Sequence, residues 1–406
     1  MDILLPEKCN WTFVMADIDQ PKLGADFQAK HALPMELHKS HLVHYTNGWV
    51  ILGIQGHLPS HACPRVDNLS VPTWEDTIAM KESDLQMAQI TSVDVTTTGS
   101  HCFNHKGNTQ ATTWNKKEQA DPRTNQQPLR SAIHVLFLRE HNRIAKILAK
   151  LNRHWKDEQL YQQARRILIA IFQHITYEEM LPILIGKHAF KEHFHAYKYN
   201  KKLCPGTFVE FTTVAFRYLH TIAHGILRLM TAGREINKEL VLSDFYNRPT
   251  IVTKEFDEIL IGAVSQECRK DDENFDKEIA HELFRANRTT FGLSLPAIDI
   301  QRARDHGVPS YNELRKLCGL PKALDFDDLS DTMSHTSIKK LRSAYKHVND
   351  IDPLVGGTME EGMPGAIMGP TFVCLVTKQF LLTQRSDRFF YLNRDQEQPF
   401  SPVSQH

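Results

Sequence analysis

The sequence predicts a mainly α-helical fold, on the strength of the part of the chain that follows residue 120. From Leu129, apolar residues recur at the spacing of one helix face and stop at the turn-like pair Leu151 and Asn152, which predicts one long amphipathic helix. Three later segments have the same character and are separated by stretches that contain proline or glycine. They are residues 158–179, 208–230 and 257–289.

The first 120 residues lack this long periodicity and carry many short polar and Pro/Gly interruptions. Residues 49–54 favour a strand and residues 74–90 a helix, whereas residues 94–119 are polar and without period. We therefore divide the chain into a poorly ordered or divergent N-terminal segment, residues 1–120, and a helical domain, residues 121–406.

The charge balance limits the classes of partner. Lys plus Arg and Asp plus Glu both number 48, so the formal net charge of the 406 residues is zero. This balance gives no electrostatic reason to expect nucleic acid or an anionic membrane surface, and it favours a small-molecule partner. The longest apolar runs, such as residues 167–172 and 181–185, are far shorter than the roughly 18 to 20 residues that span a bilayer. We therefore expect no membrane span.

Signals for export point in two directions. The N-terminus places Asp2 and Lys8 around few apolar residues and lacks the basic start and apolar core of a signal peptide. Three acceptor sequons for N-glycosylation, which matter only in a secreted chain, begin at Asn10, Asn68 and Asn287. The seven cysteines include no CxxC pair, so a metal held by thiolates is not expected.

The segment AFRYLHTIAHGI, residues 215–226, would place Arg217, His220 and His224 on one helix face at i, i+3 and i+7. One interpretation is a polar face whose histidines are satisfied by neighbours. The other is that one histidine binds a metal, because a single neutral imidazole holds haem iron when an acceptor fixes its other nitrogen.

A second cluster of charge lies in LPAIDIQRARDHGVPSYN, residues 295–312. A solvated loop would explain its mixed charges. However, the apolar residues Leu295, Ile298 and Ile300 lie beside those charges, so some of them must meet buried surface and need partners. Haem propionates would serve. The charged residues are Asp299, Arg302, Arg304, Asp305 and His306.

Seven stretches in the same order resemble the animal haem peroxidase family, and from the first to the last they span roughly two thirds of the chain. They are HVLFLREHNRIAKILAKLNRHW (134–155), EQLYQQARRILIAIFQHITYEEMLPILIG (158–186), AFRYLHT (215–221), IDIQRARDHGVPSYNELRKLCGLP (298–321), VNDIDPLVGG (348–357), GPTFVC (369–374) and DRFFYLN (387–393). The resemblance implies a helical fold with haem b between distal and proximal helices. It also implies a peroxidase that reduces hydrogen peroxide and oxidises a small electron donor, in an extracellular setting.

On the proximal side, the resemblance makes His220 the axial ligand of haem iron. Leu219 stands where the family has glycine. Asp299 takes the place of an asparagine that accepts the hydrogen bond of the proximal imidazole, and an aspartate there would give the ring more imidazolate character. Arg302 matches an arginine that contacts a haem propionate, and Arg217 is a further candidate contact of the cofactor.

On the distal side, Arg123 in DPRTNQQP matches the arginine that polarises bound peroxide, so Arg123 and Asp299 are the candidate catalytic residues. Gln126 stands where mammalian members have a glutamate esterified to haem, which predicts noncovalent haem.

The distal motif WGQxxDHD, with its catalytic histidine and calcium-binding aspartate, is not found in residues 1–120, and neither is the calcium loop. The nearest similarity, ADID at residues 16–19, we attribute to chance. Six N-terminal histidines are candidates for a substitute, but none has a matching context; they are His31, His38, His41, His44, His57 and His61.

Cys318 and Cys374 lie in motifs whose cysteines pair in mammalian members, so the resemblance predicts that disulfide and an exported protein. The sequence assigns no partner to the other cysteines, which are Cys9, Cys63, Cys102, Cys204 and Cys268. The domain also ends short of the family's usual C-terminal segment.

Three alternatives remain at this point. The first is a haem-binding or adhesive pseudoenzyme with a cell-surface or matrix partner, favoured by the missing distal motif. The second is the fatty-acid dioxygenase branch of the superfamily, which needs a tyrosine where Arg217 stands. The third is a fold without haem, in which His220, Asp299 and Arg302 are incidental.

Overall fold

A computed structural model describes residues 122–285 and 292–401, and these residues form a mainly α-helical fold, as predicted. The N-terminal segment of residues 1–120 lies outside the described residues, as does the sequon at Asn287. The α-helices are α1 (Pro128–Leu151), α2 (Asp157–His174), α3 (Leu181–Ile185), α4 (Lys187–Phe194), α5 (Val209–Thr213), α6 (Thr250–Lys254), α7 (Phe256–Ser265), α8 (Lys277–Ala280), α9 (Leu295–Asp305), α10 (Tyr311–Leu317), α11 (His335–Ala344), α12 (Pro353–Met359) and α13 (Pro370–Ser386).

Two strands, β1 (Ile226–Met230) and β2 (Ile236–Val241), form an antiparallel hairpin. Ile226 pairs with Val241, and the register shifts between Leu229 and Met230. A π-helical stretch and several 3₁₀ helices complete the described elements. The π-helical stretch is Ile175–Met180, and the 3₁₀ helices are Pro122–Asn125, Ala215–His220, Leu242–Asp244, Phe326–Asp331 and Val348–Asp350.

Helix α1 confirms the long amphipathic helix predicted from Leu129 to Leu151. It begins at Pro128, which suits the first helical position because it has no N–H to satisfy. The Gln127 side chain accepts a hydrogen bond from the Leu129 N–H at 2.9 Å and so caps the helix. The buried face of α1 contacts both α2 and α7.

The predicted helix of residues 158–179 corresponds to α2 followed by the π-helical stretch. Asp157–Ile185 is long and apolar enough to cross a membrane by length and composition, the one such stretch in the part of the chain that the structure describes. Its residues Tyr177 and Leu181 are buried in the protein core, and the Tyr177 hydroxyl donates to the Phe380 carbonyl at 3.0 Å. A buried core helix meets the same criterion, so the expectation of no membrane span stays a prediction.

The predicted helix over residues 208–230 is wrong. Helix α5 ends at Thr213, and Val214, with φ −127° and ψ −77°, leaves the helical region. A 3₁₀ helix follows, and the apolar run from Ile226 onward forms strand β1 with a partly alternating burial pattern. A short apolar run fits both the helical and the strand period. Here pairing with strand β2 decides that the run forms a strand.

The predicted helix over residues 257–289 is too long. Helix α7 covers only Phe256–Ser265, and the polar stretch after it gives way to the short helix α8. Helix α7 lies so close to strand β1 that a Cβ at Gly262 would come 1.8 Å from the Arg228 carbonyl oxygen. Packing against the hairpin therefore fixes where this helix lies, which the helical period alone does not show.

Two hydrophobic clusters flank helix α9. The first contains α3, the 3₁₀ helix Ala215–His220 and α13, and the second contains the hairpin with parts of α1 and α7. Ile300 packs against the first cluster and Ile298 against the second. Asp299, between them in sequence, is completely buried. The prediction that the charges of this segment meet buried surface is therefore confirmed.

The predicted disulfide between Cys318 and Cys374 is confirmed, with a Cα–Cα distance of 5.8 Å. It joins the residue after the end of α10 to the second turn of α13. Cys204, to which the sequence assigned no partner, is also disulfide-bonded, whereas Cys268 is free and exposed.

Candidate functional site

His220 is the last residue of the 3₁₀ helix Ala215–His220, and its neighbours hold that helix in place. The Tyr218 hydroxyl donates to the Ile367 carbonyl at 2.7 Å, and burial raises the pKa of Tyr218, so the donor stays protonated. The Thr221 hydroxyl donates to the Tyr218 carbonyl at 2.9 Å. Leu219 packs against the first hydrophobic cluster. The backbone is thus fixed, while the His220 side chain keeps 28% of its surface exposed.

Asp299 meets His220 from helix α9, which is 79 residues further along the chain. Ser294 caps this helix by accepting from the Ala297 N–H, and a proline occupies its first turn. Nδ1 of His220 lies 2.6 Å from Oδ2 of Asp299. An imidazole N–H donates and a carboxylate oxygen accepts, so Nδ1 is the donor in this contact and Nε2 is the ring nitrogen left for another partner.

Arg302 lies one helical turn after Asp299, on the same face of α9. Its Nη1 donates to Oδ1 of Asp299, the carboxylate oxygen that His220 does not use. Both oxygens of this completely buried carboxylate therefore have a donor. A buried carboxylate ionises only when it is paired and hydrogen-bonded in this way.

His220, Asp299 and Arg302 form a trio, and its donor chemistry fits haem iron. Among the described residues no hydrogen bond reaches Nε2 of His220, and the side chain is partly exposed. A neutral imidazole whose other nitrogen donates to a carboxylate is the arrangement found at metal-binding histidines. Residues 122–285 and 292–401 contain no group of three or more His, Cys, Asp and Glu residues that could hold a metal ion. His220 offers one ring nitrogen, which is what haem iron takes from a protein on one side.

The other sequence-predicted residues do not join this trio in the same way. Arg217 is buried, and its Nε donates to the Thr212 carbonyl at 2.9 Å, so its contact with a cofactor stays a prediction. His224 does not share a helix face with His220, because the 3₁₀ helix ends at His220. Instead, Nε2 of His224 lies 2.6 Å from the Glu267 carbonyl oxygen. The idea of a shared face was therefore wrong.

The distal side lies largely outside the described residues. The backbone of Arg123 belongs to the 3₁₀ helix Pro122–Asn125, but its side chain is outside them, so its predicted role stays a prediction. Thr124 and Asn125, which follow it, are buried. Gln126 accepts a hydrogen bond from Arg130 Nη1 at 2.9 Å. The six N-terminal histidines and residues 16–19 also lie outside the described residues.

Two ion pairs near the site were missed by sequence reasoning. The first is the contact between Arg302 and Asp299, which their spacing of three residues within a helix could have indicated. The second joins Arg304, also on α9, to Asp352 at the start of α12 through two hydrogen bonds of 2.8 and 2.6 Å. No local signal in the sequence indicates this second pair.

Comparisons with known proteins show the family to which the chain belongs. The family model of the animal haem peroxidases matches residues 80–405 of the chain. The peroxidase of Drosophila melanogaster is 40% identical over 293 residues, which are 70% of this chain and 42% of that protein. The chorion peroxidase of Aedes aegypti is 36% identical over 292 residues, 70% of this chain and 36% of that protein. The thyroid peroxidase of Homo sapiens is 33% identical over 282 residues, 67% and 30% respectively. The chain spans less than half the length of these relatives.

Solved structures share the fold. Peroxidase A from Dictyostelium discoideum matches with a TM-score of 0.62 and 31% identity, over 70% of this chain and 56% of that one. The fatty acid α-dioxygenase of Oryza sativa matches with a TM-score of 0.54 and 20% identity, over 64% and 49%. At this identity, the second likeness shows the fold alone.

Proposed function

Because the chain belongs to the animal haem peroxidase family, we propose that it binds haem b through His220, reduces hydrogen peroxide and oxidises a small electron donor. The observation that carries the proposal is the contact of 2.6 Å between His220 Nδ1 and the buried carboxylate of Asp299. It leaves Nε2 as the one ring nitrogen available to an iron.

Each residue of the trio has a task in this proposal. Asp299 holds the proton on Nδ1 of His220, so that Nε2 keeps its lone pair and its direction. Arg302 completes the carboxylate's hydrogen bonds, and its further N–H groups suit a haem propionate. When bound, haem would supply the electrons that reduce peroxide and would recover them from the donor, which is thereby oxidised.

On the peroxide side, we propose that Arg123 donates hydrogen bonds to the peroxide oxygens. A guanidinium suits this task because it does not lose its proton and therefore stabilises the negative charge that develops as the O–O bond breaks. A base that moves the proton between the two oxygens is not identified in the chain. General acid–base catalysis contributes roughly 10² to 10⁴ in rate, so activation of peroxide without a distal histidine would be slower by about that factor.

We also propose that haem is held noncovalently, because glutamine occupies position 126, and that the family's calcium site is lacking. Disulfides form in oxidising compartments, so the pair Cys318 and Cys374 and the disulfide-bonded Cys204 support an extracellular location. The balanced net charge supports a small donor rather than nucleic acid.

A second candidate is a haem-binding or adhesive pseudoenzyme with a cell-surface or matrix partner. The sequence observation that favours it is the lack of the WGQxxDHD motif in residues 1–120. In this candidate the trio still binds haem, but peroxide is not activated.

One experiment separates the two candidates. The purified chain is reconstituted with haemin, and its absorbance spectrum is recorded before and after an equimolar amount of peroxide, with a phenolic donor then added. A rapid spectral change that the donor reverses supports the peroxidase. A Soret band that peroxide leaves unchanged overturns the peroxidase and leaves the pseudoenzyme.

The proposed role of Arg123 has its own test. We expect Arg123→Met to slow the reaction with peroxide by roughly 10²-fold or more, as for the loss of a donor that stabilises developing negative charge. The Soret band should be unchanged, because the proposal places Arg123 away from the iron ligand. Stopped-flow absorbance measures the rate, and an unchanged rate would remove Arg123 from the mechanism.

A further inference from the structure

The carboxylate of Asp299 is shared between two donors of different charge. Oδ2 accepts from the imidazole of His220, and Oδ1 accepts from the guanidinium of Arg302. The carboxylate itself is completely buried, whereas the His220 and Arg302 side chains keep 28% and 27% of their surface exposed. Arg302 is thus hydrogen-bonded to the group that orients the candidate iron ligand.

We propose that Arg302 is a positioning residue that sets the strength of the hydrogen bond from His220 to Asp299, and through it the electron donation of His220 to iron. This inference rests on the proposed function, in which Nε2 of His220 binds haem iron. It assigns Arg302 an action through Asp299 in addition to any contact with a propionate.

The physical reason is competition for the charge of one carboxylate. A cation on Oδ1 draws negative charge toward that oxygen and weakens the pull of Oδ2 on the Nδ1 proton. Arg302 therefore reduces the electron donation that the facing aspartate would otherwise give the imidazole. Without Arg302, the buried carboxylate would accept a hydrogen bond from the imidazole alone of these two donors, and the ring would gain imidazolate character.

The helix makes this arrangement rigid. Asp299 and Arg302 are three residues apart on α9, so their side chains leave the same face. Ala303, which follows Arg302, is completely buried in the first hydrophobic cluster, and Ile298 and Ile300 hold the helix between the two clusters. The backbone spacing of the two residues is therefore set by helix geometry rather than by a flexible loop.

A double-mutant cycle tests the inference on the haem-reconstituted full chain, with Arg302→Met, Asp299→Asn and the double variant. The readouts are the Fe–His stretching frequency of the ferrous protein, from resonance Raman spectra, and the Fe(III)/Fe(II) potential. We expect Arg302→Met to raise the frequency and make the potential more negative, and Asp299→Asn to do the reverse. In the Asp299→Asn background, the further effect of Arg302→Met on the frequency should disappear. Arg302→Lys, which keeps the charge, should restore most of the wild-type frequency.

Arg304→Met is the matched control. Arg304 lies on the same helix and is also paired with a carboxylate, but its partner is Asp352 and not Asp299. It should leave the Fe–His frequency unchanged. If Arg302→Met does not fold, Arg302→Gln gives the same cycle.

The outcomes separate the inference from the proposed function. If the wild-type protein shows no Fe–His band, or keeps it in His220→Ala, the proposed function fails. If the band depends on His220 but Arg302→Met shifts it equally in both backgrounds, or not at all, Arg302 does not act through Asp299 and the inference is overturned.

Discussion

At the residue scale, the candidate site depends on a few side chains. The sequence indicated which residues these are, but it predicted their contacts only in part. The pairing of His220 with Asp299 was expected from the family resemblance, and the structure places the two 2.6 Å apart. The pairing of Arg302 with the same carboxylate was not expected, because the resemblance assigned Arg302 only a contact with a haem propionate. His224 was misplaced because the helix period was extended beyond the end of the 3₁₀ helix.

Asp387 provides a prediction about pH at the same scale. It is buried, it accepts from Gln173 Nε2 at 3.0 Å and from the Phe389 N–H at 2.8 Å, and burial raises its pKa to about 7. In the unfolded chain an aspartate has a pKa of about 3.9, so the folded state binds an extra proton between these two values. Its contribution to stability is therefore fully present below about pH 4 and is lost as the pH rises to about 7.

Urea unfolding of the wild type and Asp387→Asn checks this prediction. The amide mimics the protonated carboxyl and does not titrate. We expect the free energy of unfolding of the wild type to fall relative to that of the variant by a few kcal/mol between about pH 4 and pH 7, and to run parallel above that range. Parallel curves over the whole range would show that Asp387 has an ordinary pKa in the folded protein.

At the element scale, the sequence predicted most reliably those elements that depend on their own residues. Helix α1 starts one residue before its predicted position, because local capping and a long periodic face define it. The segment 208–230 was assigned wrongly, because β1 forms only through its partner β2. Helix α7 ends at Ser265, well short of the predicted residue 289. Elements that depend on tertiary partners are thus the ones that the sequence alone did not predict.

Helix α12 gives a prediction at this scale, because it packs closely on two aromatic side chains. A Cβ at Gly356 would lie 2.1 Å from Cγ of Tyr311, and one at Gly357 would lie 2.1 Å from Cζ of Phe372. We expect Gly356→Ala to destabilise the protein by about 1 to 3 kcal/mol, since a well-packed core resists an added methyl group.

Thermal unfolding of Gly356→Ala and of the control Gly233→Ala measures this effect. A Cβ at Gly233 would meet its nearest neighbour, Thr231 Oγ1, at 3.7 Å, which is ordinary contact. The control should remain within about 0.5 kcal/mol of the wild type. Equal melting temperatures for all three proteins would mean that α12 does not pack as described.

At the scale of the whole molecule, contacts between distant parts of the chain hold the site. His220 and Asp299 are 79 residues apart, Arg304 and Asp352 are 48 apart, and helix α9 lies between two separate hydrophobic clusters. Of these long-range links, the sequence predicted the first, together with the disulfide of Cys318 and Cys374, through family motifs. The others require the packed structure, because no spacing or period in the sequence encodes them.

The disulfide gives a prediction at this scale. The two cysteines are 56 residues apart, and closing such a loop restricts the unfolded chain by an amount typically worth about 2 to 4 kcal/mol. We expect replacement of both cysteines by serine to lower the free energy of unfolding by about that amount. Chemical denaturation measures it, with Cys268→Ser, which removes a free and exposed thiol, as the near-neutral control.

The proposed function requires that His220 be the protein ligand of haem iron. The most direct test is a titration with haemin, followed by the Soret band, of the wild type, His220→Ala and His224→Ala. His224 is the matched control because it lies four residues further on and its Nε2 contacts a backbone carbonyl. We predict that His220→Ala loses the wild-type Soret band and regains it with added imidazole, while His224→Ala binds haemin like the wild type. A His220→Ala protein that binds haemin with the same band and affinity as the wild type would contradict the claim.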